Sequence, residues 1–359
     1  MENVRRIELV DVRQAASLGA RERRVKLKWI AAILTVMMAG AAGAQNINAA
    51  GATFPYPIYN RWFTEYAQAH PGVHINYQSI GSGGGLQQTS EGTVDFGASD
   101  MPVPNDKIAA AKVKFTNIPT VLGAVVPVYN IPGVSQTLNF SGDVIADIYL
   151  GKIKMWNDPR IAKDNPGVNL PAKGILPVYR SDGSGTTFIF TDYLSKVSPE
   201  WAGKVGKNTS VQWPAGIGQK GNEGVAGMVR QTPGAIGYVE LIYAMQNKIA
   251  YGTVKSKDGK FLKATPEGAT AAAASAAKAM TTDFRVSITN APGADAYPIS
   301  SFTYLLIPVH FADPAKGKAM KDFLGWMLAH GESEATSMGY APLPKPVADK
   351  VALALNKVQ

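Results

Sequence analysis

The sequence predicts an α/β protein whose two lobes grip one small ligand between them. Three observations carry that expectation. Strand-like and helix-like hydrophobic periods alternate along nearly the whole chain, the signature of largely parallel sheets flanked by helices. Turns rich in glycine recur between a strand and a helix in both halves, at residues 80–86, 180–186 and 216–224. Ligands of open α/β sheets bind at such strand ends, and a cleft between domains is a favoured place for a small molecule. Finally, about 315 residues beyond a leader suit two domains of the usual ~100–200 residues each.

The leader is residues 1–44. Arg21, Arg23, Arg24, Lys26 and Lys28 precede an apolar run over residues 29–42, and Ala42-Gly43-Ala44 is a small-residue cleavage site. The run is short for a bilayer span, so the expectation is an exported protein cut near Ala44, periplasmic, with no direct membrane anchor. Arg23-Arg24 faintly resembles a twin-arginine signal without its usual aromatic, which favours the general secretory route. The whole chain carries a formal net charge of +9, and the leader holds eight basic and four acidic residues, leaving +5. That modest excess suits an anionic ligand and is too diffuse for nucleic acid. There is no cysteine, hence no disulfide, thiolate metal site or lipid-anchored cysteine.

Residues 47–54 read as a first strand and turn, with Pro55 at the first helical position. Tyr59, Trp62, Phe63 and Tyr66 follow at helical spacing, a core face. Val73, Ile75 and Tyr77 alternate as a strand, and residues 80–86 turn into a helix through Gln88 and Glu91. Val94, Phe96 and Ala98 form another strand, Asn105 or Asp106 caps a small helix, and residues 119–129 are an apolar strand. Residues 141–154 read as two helical pieces, followed by a turn at Trp156 and a helix near Ile161. A strand at residues 175–178 leads through the 180–186 turn into a helix facing inward with Phe188, Phe190, Tyr193, Leu194 and Val197. Residues 201–224 are loop-rich and open a helix through Val229; residues 233–239 are a turn and strand. An alanine-rich helix covers residues 269–280, a core strand 299–309, and the tail holds a helix with Phe323, Trp326 and Met327 inward and a shorter one over 347–355.

The stretch Arg180-Ser-Asp-Gly-Ser-Gly-Thr186 is the chemical centre. A strand end, a small-residue turn and a helix start aim free backbone N–H groups and a positive helix end at one point. Arg180 adds a planar fork matched to oxyanions, and Ser184 and Thr186 add hydroxyl donors. The residues describe a cradle for a small oxyanion.

Four segments, Ala50-Gly-Ala-Thr-Phe-Pro55, Ile80-Gly-Ser-Gly-Gly-Gly85, Val94-Asp-Phe-Gly-Ala-Ser-Asp100 and the Arg180 stretch, in this order resemble the PstS family of periplasmic phosphate-binding proteins of bacterial phosphate ABC importers. The similarity also takes in Asp147-Ile-Tyr-Leu-Gly-Lys-Ile153 and Pro233-Gly-Ala-Ile-Gly-Tyr-Val-Glu240. It implies the two-lobed periplasmic-binding-protein fold of type II, with lobe one from 45–121 and 299–359 and lobe two from 122–298. It implies phosphate contacts at Thr53, Phe54 (backbone N–H), Ser82, Asp100, Arg180, Ser184, Gly185 (backbone N–H) and Thr186, with Asp182 orienting the arginine. It also implies high-affinity phosphate binding, delivery to an inner-membrane ABC permease, a monomer, and no cofactor or metal. Gly83 departs from the family, which often has serine there.

Asp100 is the informative residue, since a carboxylate in an anion site repels its ligand unless that ligand carries a proton. Phosphate does near neutral pH and sulfate does not, so Asp100 is expected to accept the proton and reject sulfate. The alternatives are the same fold binding sulfate, molybdate or a phosphonate, or a secreted hydrolase using Ser184. The second fails on its motif: Asp182 replaces the glycine of a nucleophile elbow, and His70, His74, His310 and His330 all lie outside the cradles. No Walker lysine or metal-spaced cluster is present. The 216–224 turn is expected to serve lobe packing or the permease face and not the ligand.

Overall fold

The computed structural model describes residues 45–277, 280 and 283–357, and the expected leader lies outside them. The chain opens with β1 (Gln45–Gly51) and α1 (Tyr56–Ala69). Pro55 is the residue before the first helical one, and α1 buries Ile58, Tyr59, Trp62, Phe63 and Tyr66. β2 (Val73–Ser79), α2 (Ser82–Glu91), β3 (Phe96–Ser99) and α3 (Asn105–Ala110) follow. Pro104, and neither Asn105 nor Asp106, occupies the cap of α3. β4 (Phe115–Tyr129) then runs for 15 residues, about 50 Å at ~3.3 Å each, and is buried along almost its full length.

The next segment contains β5 (Asn139–Phe140), α4 (Gly142–Tyr149), α5 (Pro159–Asp164), β6 (Leu176–Arg180), α6 (Gly185–Val197), α7 (Pro199–Lys204) and β7 (Ile217–Gln219). It continues through α8 (Gly221–Gln231), β8 (Ala235–Glu240), α9 (Leu241–Gln246), the short strands β9 (Ala250–Tyr251), β10 (Thr253–Lys255) and β11 (Phe261–Leu262), and α10 (Pro266–Ala277). The chain returns as β12 (Ser300–Pro308) and ends in α11 (Pro314–Trp326), a π turn, α12 (Glu332–Ala335) and α13 (Lys345–Ala354). Only one of the two helical pieces expected over 141–154 forms: after Tyr149 the chain turns at Gly151, whose φ of 73° stops a right-handed helix. α7, which overlaps the start of the 201–224 stretch expected to be loop-rich, is capped by Ser198, whose hydroxyl accepts the Trp201 N–H.

Among the described residues a nine-stranded sheet runs β2-β1-β3-β12-β4-β8-β6-β7, with β9 pairing on β4. The expectation of largely parallel sheets needs correction. β1 pairs parallel with β2 and β3, and β6 with β7 and β8, but these parallel wings are joined by antiparallel pairs. β12 lies antiparallel between β3 and β4, and β8 antiparallel to the far end of β4. The cause is topological: β12 comes back from the second wing and must run against the strand that left the first. Pro119 in β4 has no N–H for the ladder, and the β4/β12 register shifts there, opposite Thr303 and Tyr304.

The aromatic face of α1 packs on Tyr77, Phe96 and Phe323. In the other wing Phe190 stacks on Tyr238 with centroids 4.2 Å apart. α6 faces inward with Ile189, Phe190, Tyr193 and Leu194, while Phe188 is half-buried. Trp326 is likewise half-buried, so Phe323 and Met327 anchor the tail.

Candidate functional site

The parallel strands of both wings end at one place. β1 ends before Thr53, β3 before Asp100 and β6 on Arg180, while β8 ends on Glu240. The residues expected to meet a ligand converge there, although they come from four separate stretches of chain.

Arg180 is held rigidly. Its side chain is 1% exposed, its Nε donates to Asp182 Oδ1 at 2.8 Å and its Nη2 to Asp182 Oδ2 at 2.5 Å. Asp182 Oδ1 also accepts the Gly221 N–H at 3.1 Å. Burial alone would raise the Asp182 carboxyl, but the two Arg180 bonds and the Gly221 N–H outweigh it and hold it below the usual carboxylate range. The Arg180 backbone N–H donates to the Tyr238 hydroxyl at 3.1 Å. Asp182 thus fixes the fork, and its Nη1 donates to Thr186 Oγ1 at 3.3 Å.

α6 starts directly beside it. Ser184 caps the helix, its Oγ accepting the Thr187 N–H at 3.0 Å, and Gly185 and Thr186 are the first helical residues, whose N–H groups have no intrahelical acceptor. Ser184, Gly185 and Thr186 are all buried. Here is the positive end of a 13-residue helix pointing at the arginine.

Across from α6 stand Ser82 and Asp100. Ser82 Oγ accepts the Asp100 N–H at 3.1 Å and donates to Asp100 Oδ2 at 3.4 Å. Thr303 Oγ1 donates to Asp100 Oδ1 at 2.8 Å. Burial raises the Asp100 carboxyl to about 7, against the opposing pull of Thr303, Arg180 and Ser82. Any Cβ on Gly185 would lie 2.4 Å from both Asp100 Oδ2 and Ser82 Oγ, so the start of α6 and the Asp100 side are in direct register. Gly83 has its own reason: its N–H donates to the Gly183 carbonyl at 2.8 Å, and a Cβ there would sit 3.0 Å from Gly183 Cα.

Thr53 and Phe54 close the third side. Both are buried; the Thr53 carbonyl accepts the Tyr243 hydroxyl at 2.6 Å, and the Phe54 carbonyl accepts that of Tyr340 at 2.7 Å. These two bonds fix the turn between β1 and α1 that carries the Phe54 N–H.

Sequence reasoning missed two residues. Thr303 lies in a strand that also holds Ser300 and Ser301, so its polarity alone gave no signal that would single it out. Asn222 comes from the 216–224 turn: its Nδ2 donates to Thr53 Oγ1 at 2.7 Å and to Thr186 Oγ1 at 3.1 Å. That turn does pack the two sides together, through Asn222.

Chemically, the site offers a guanidinium and a helix start as donors, several hydroxyls that can both donate and accept, and the buried Asp100 carboxylate as acceptor. The four histidines are exposed, and the Ser184 hydroxyl is occupied as a cap.

Known proteins fit this arrangement. The PBP superfamily domain matches residues 38–330. The phosphate-binding protein PstS of Pasteurella multocida is 46% identical, over 91% of this chain and 94% of that one. PstS of Methanocaldococcus jannaschii is 42% identical over 87% and 86%. Among solved structures, a phosphate-binding protein from Stenotrophomonas maltophilia superposes with a TM-score of 0.65 at 20% identity, covering 86% of this chain and 94% of that one. An ABC-type phosphate transport receptor from Vibrio cholerae gives 0.53 at 17%, covering 83% and 100%. The architecture is the periplasmic-binding-protein fold, and the chain belongs to the PstS family of phosphate-binding proteins.

Proposed function

We propose that this protein is a high-affinity periplasmic receptor that binds one inorganic phosphate and delivers it to an inner-membrane ABC permease, with no enzymatic step of its own. The observation that carries the reading is Asp100, a single buried acceptor placed among donors and 2.8 Å from Thr303. That set fits an oxyanion bearing a proton and disfavours one without. The names of the relatives support phosphate as that ion.

The ligand set is Thr53, Phe54, Ser82, Asp100, Arg180, Ser184, Gly185 and Thr186. Residues 45–121 with 299–359 form one lobe and 122–298 the other; β4 crosses from the first into the second, and the chain returns just before β12. Contacts such as Gly83 to Gly183 and Asn222 to Thr53 tie the lobes in the closed arrangement. Phosphate favours closure because only the closed state lets both lobes bond to it. Among the described residues no helix is long and apolar enough to cross a membrane. The closed receptor would deliver its ion by docking on the permease.

Calorimetric titration of phosphate-stripped protein tests the reading. One-to-one submicromolar phosphate binding without sulfate heat at matched ionic strength is expected. Equal binding of sulfate, or none of either ion, would overturn it.

A further inference from the structure

Asn222 is fully buried and its amide orientation is determined by the backbone. Its Oδ1 accepts the Glu240 N–H at 3.0 Å, and a backbone N–H is only ever a donor, so Oδ1 cannot be exchanged with Nδ2. Nδ2 must then face Thr53 and Thr186, at 2.7 and 3.1 Å, as a donor to both hydroxyls.

A threonine hydroxyl has two lone pairs and one proton. Thr53 Oγ1 receives the Asn222 Nδ2 and, at 3.3 Å, the Asn222 backbone N–H. Thr186 Oγ1 receives the Asn222 Nδ2 and, at 3.3 Å, Arg180 Nη1. In each case both lone pairs are used, and the proton alone remains to be offered elsewhere.

We propose that Asn222 is a positioning residue that sets the polarity of the anion site: it locks the Thr53 and Thr186 hydroxyls as proton donors toward the ligand. The proposal rests on the phosphate reading and sharpens it. An oxyanion vertex facing either threonine must be an unprotonated acceptor, because neither hydroxyl has a lone pair left for a P–OH proton. The ligand's proton is thereby steered to Asp100. A site whose hydroxyls could turn either way would accept several protonation patterns; this one accepts a single pattern. Asn222 also spans the cleft, joining Thr53 of one proposed lobe to Thr186 of the other, so the polarity is set only when the lobes meet.

The test is a cycle of phosphate titrations on four proteins: wild type, Asn222→Asp, the Thr53→Val/Thr186→Val double variant, and the triple variant. Aspartate keeps the acceptor for the Glu240 N–H in the same volume but replaces the Nδ2 donor with an acceptor, so both hydroxyl protons swing away from the ligand. Asn222→Asp should weaken phosphate binding about tenfold to a hundredfold more in the wild-type background than in the valine background, which has no hydroxyl protons to misdirect. An equal loss in both backgrounds would mean charge repulsion or a packing defect and would overturn the proposal. Wild-type affinity in the valine double variant would show that the two hydroxyls are not ligands, removing that part of the site and the proposal with it. Loss of phosphate binding by the wild type itself would instead sink the phosphate reading. Thermal unfolding of the ligand-free proteins checks folding. If Asn222→Asp does not fold, Asn222→Ala takes its place in the cycle under the same criterion.

Discussion

Asp100 sits where a carboxylate is least comfortable, and two consequences follow. Burial raises its pKa from the usual 3.8 to about 7. Between those values the folded protein holds a proton that the unfolded chain has released. The contribution of Asp100 to stability is therefore fully present below about pH 4, is lost as pH rises through 7, and changes little above. Asp100→Asn removes that loss: the thermal midpoint of the ligand-free variant minus that of wild type should grow from pH 5 to pH 8. A constant difference would mean the carboxylate is solvated. The same substitution gives sulfate an amide donor in place of a repelling acceptor, so calorimetry should detect sulfate binding to the variant and none to wild type. Arg180 is the counterpart. Removing a fixed, buried guanidinium deletes charge-assisted bonds of roughly 1.5–3 kcal/mol each and leaves Asp182 buried without its partner. Arg180→Ala should lose at least about a hundredfold in phosphate affinity, and unchanged affinity would discard the cradle.

At the scale of elements, what sequence could reveal divides by the range of the contact. The α6 cradle was legible because its parts are adjacent: Asp182 stands two residues from Arg180, and Ser184 caps the helix it opens. The core face of α1 was legible for the same reason, through its 3.6-residue period. Thr303 was not, because it meets Asp100 across 203 residues, and only the β3/β12 register, which sets Tyr304 opposite Ser99, brings it there. The antiparallel joint of the sheet was hidden likewise, since local periodicity says nothing about which strand a returning segment will pair with. Asn222 lies 169 residues from Thr53 and looked like one more polar residue in a glycine-rich turn. The meeting of elements also yields a prediction. Gly185 is the first residue of α6, a position the helix itself lets alanine occupy. Its Cβ, however, would lie 2.4 Å from Asp100 Oδ2 and Ser82 Oγ. Gly185→Ala should therefore leave the ligand-free thermal midpoint unchanged or raised while phosphate binding falls at least tenfold. A variant that binds normally would mean the two sides do not approach this closely in the bound state.

For the molecule as a whole, the question is how one small ion can hold two proposed lobes together. Contacts between the proposed lobes at the cleft include Gly83 to Gly183, Asn222 to Thr53 and Tyr243 to Thr53, and β4 runs from one proposed lobe into the other, so a ligand that bonds to both adds free energy in favour of the closed arrangement. A dozen charge-assisted hydrogen bonds would exceed any real affinity if they simply added; closure and desolvation offset most of the sum. What remains appears as linkage. At a thousandfold excess over its Kd, phosphate should stabilise the fold by about 4 kcal/mol, and sulfate at the same concentration by nothing measurable. Small-angle scattering should show the radius of gyration fall on adding phosphate to wild type. Gly185→Ala, whose added methyl blocks the approach of α6 to Asp100, should show no such fall even at phosphate concentrations that saturate its remaining site. If both proteins gain stability without any change in radius, the ion binds within one lobe and closure is not the transduced signal. If wild type compacts and the variant does not, the contact between the start of α6 and the Ser82–Asp100 side is the element that converts occupancy into the shape a permease can read.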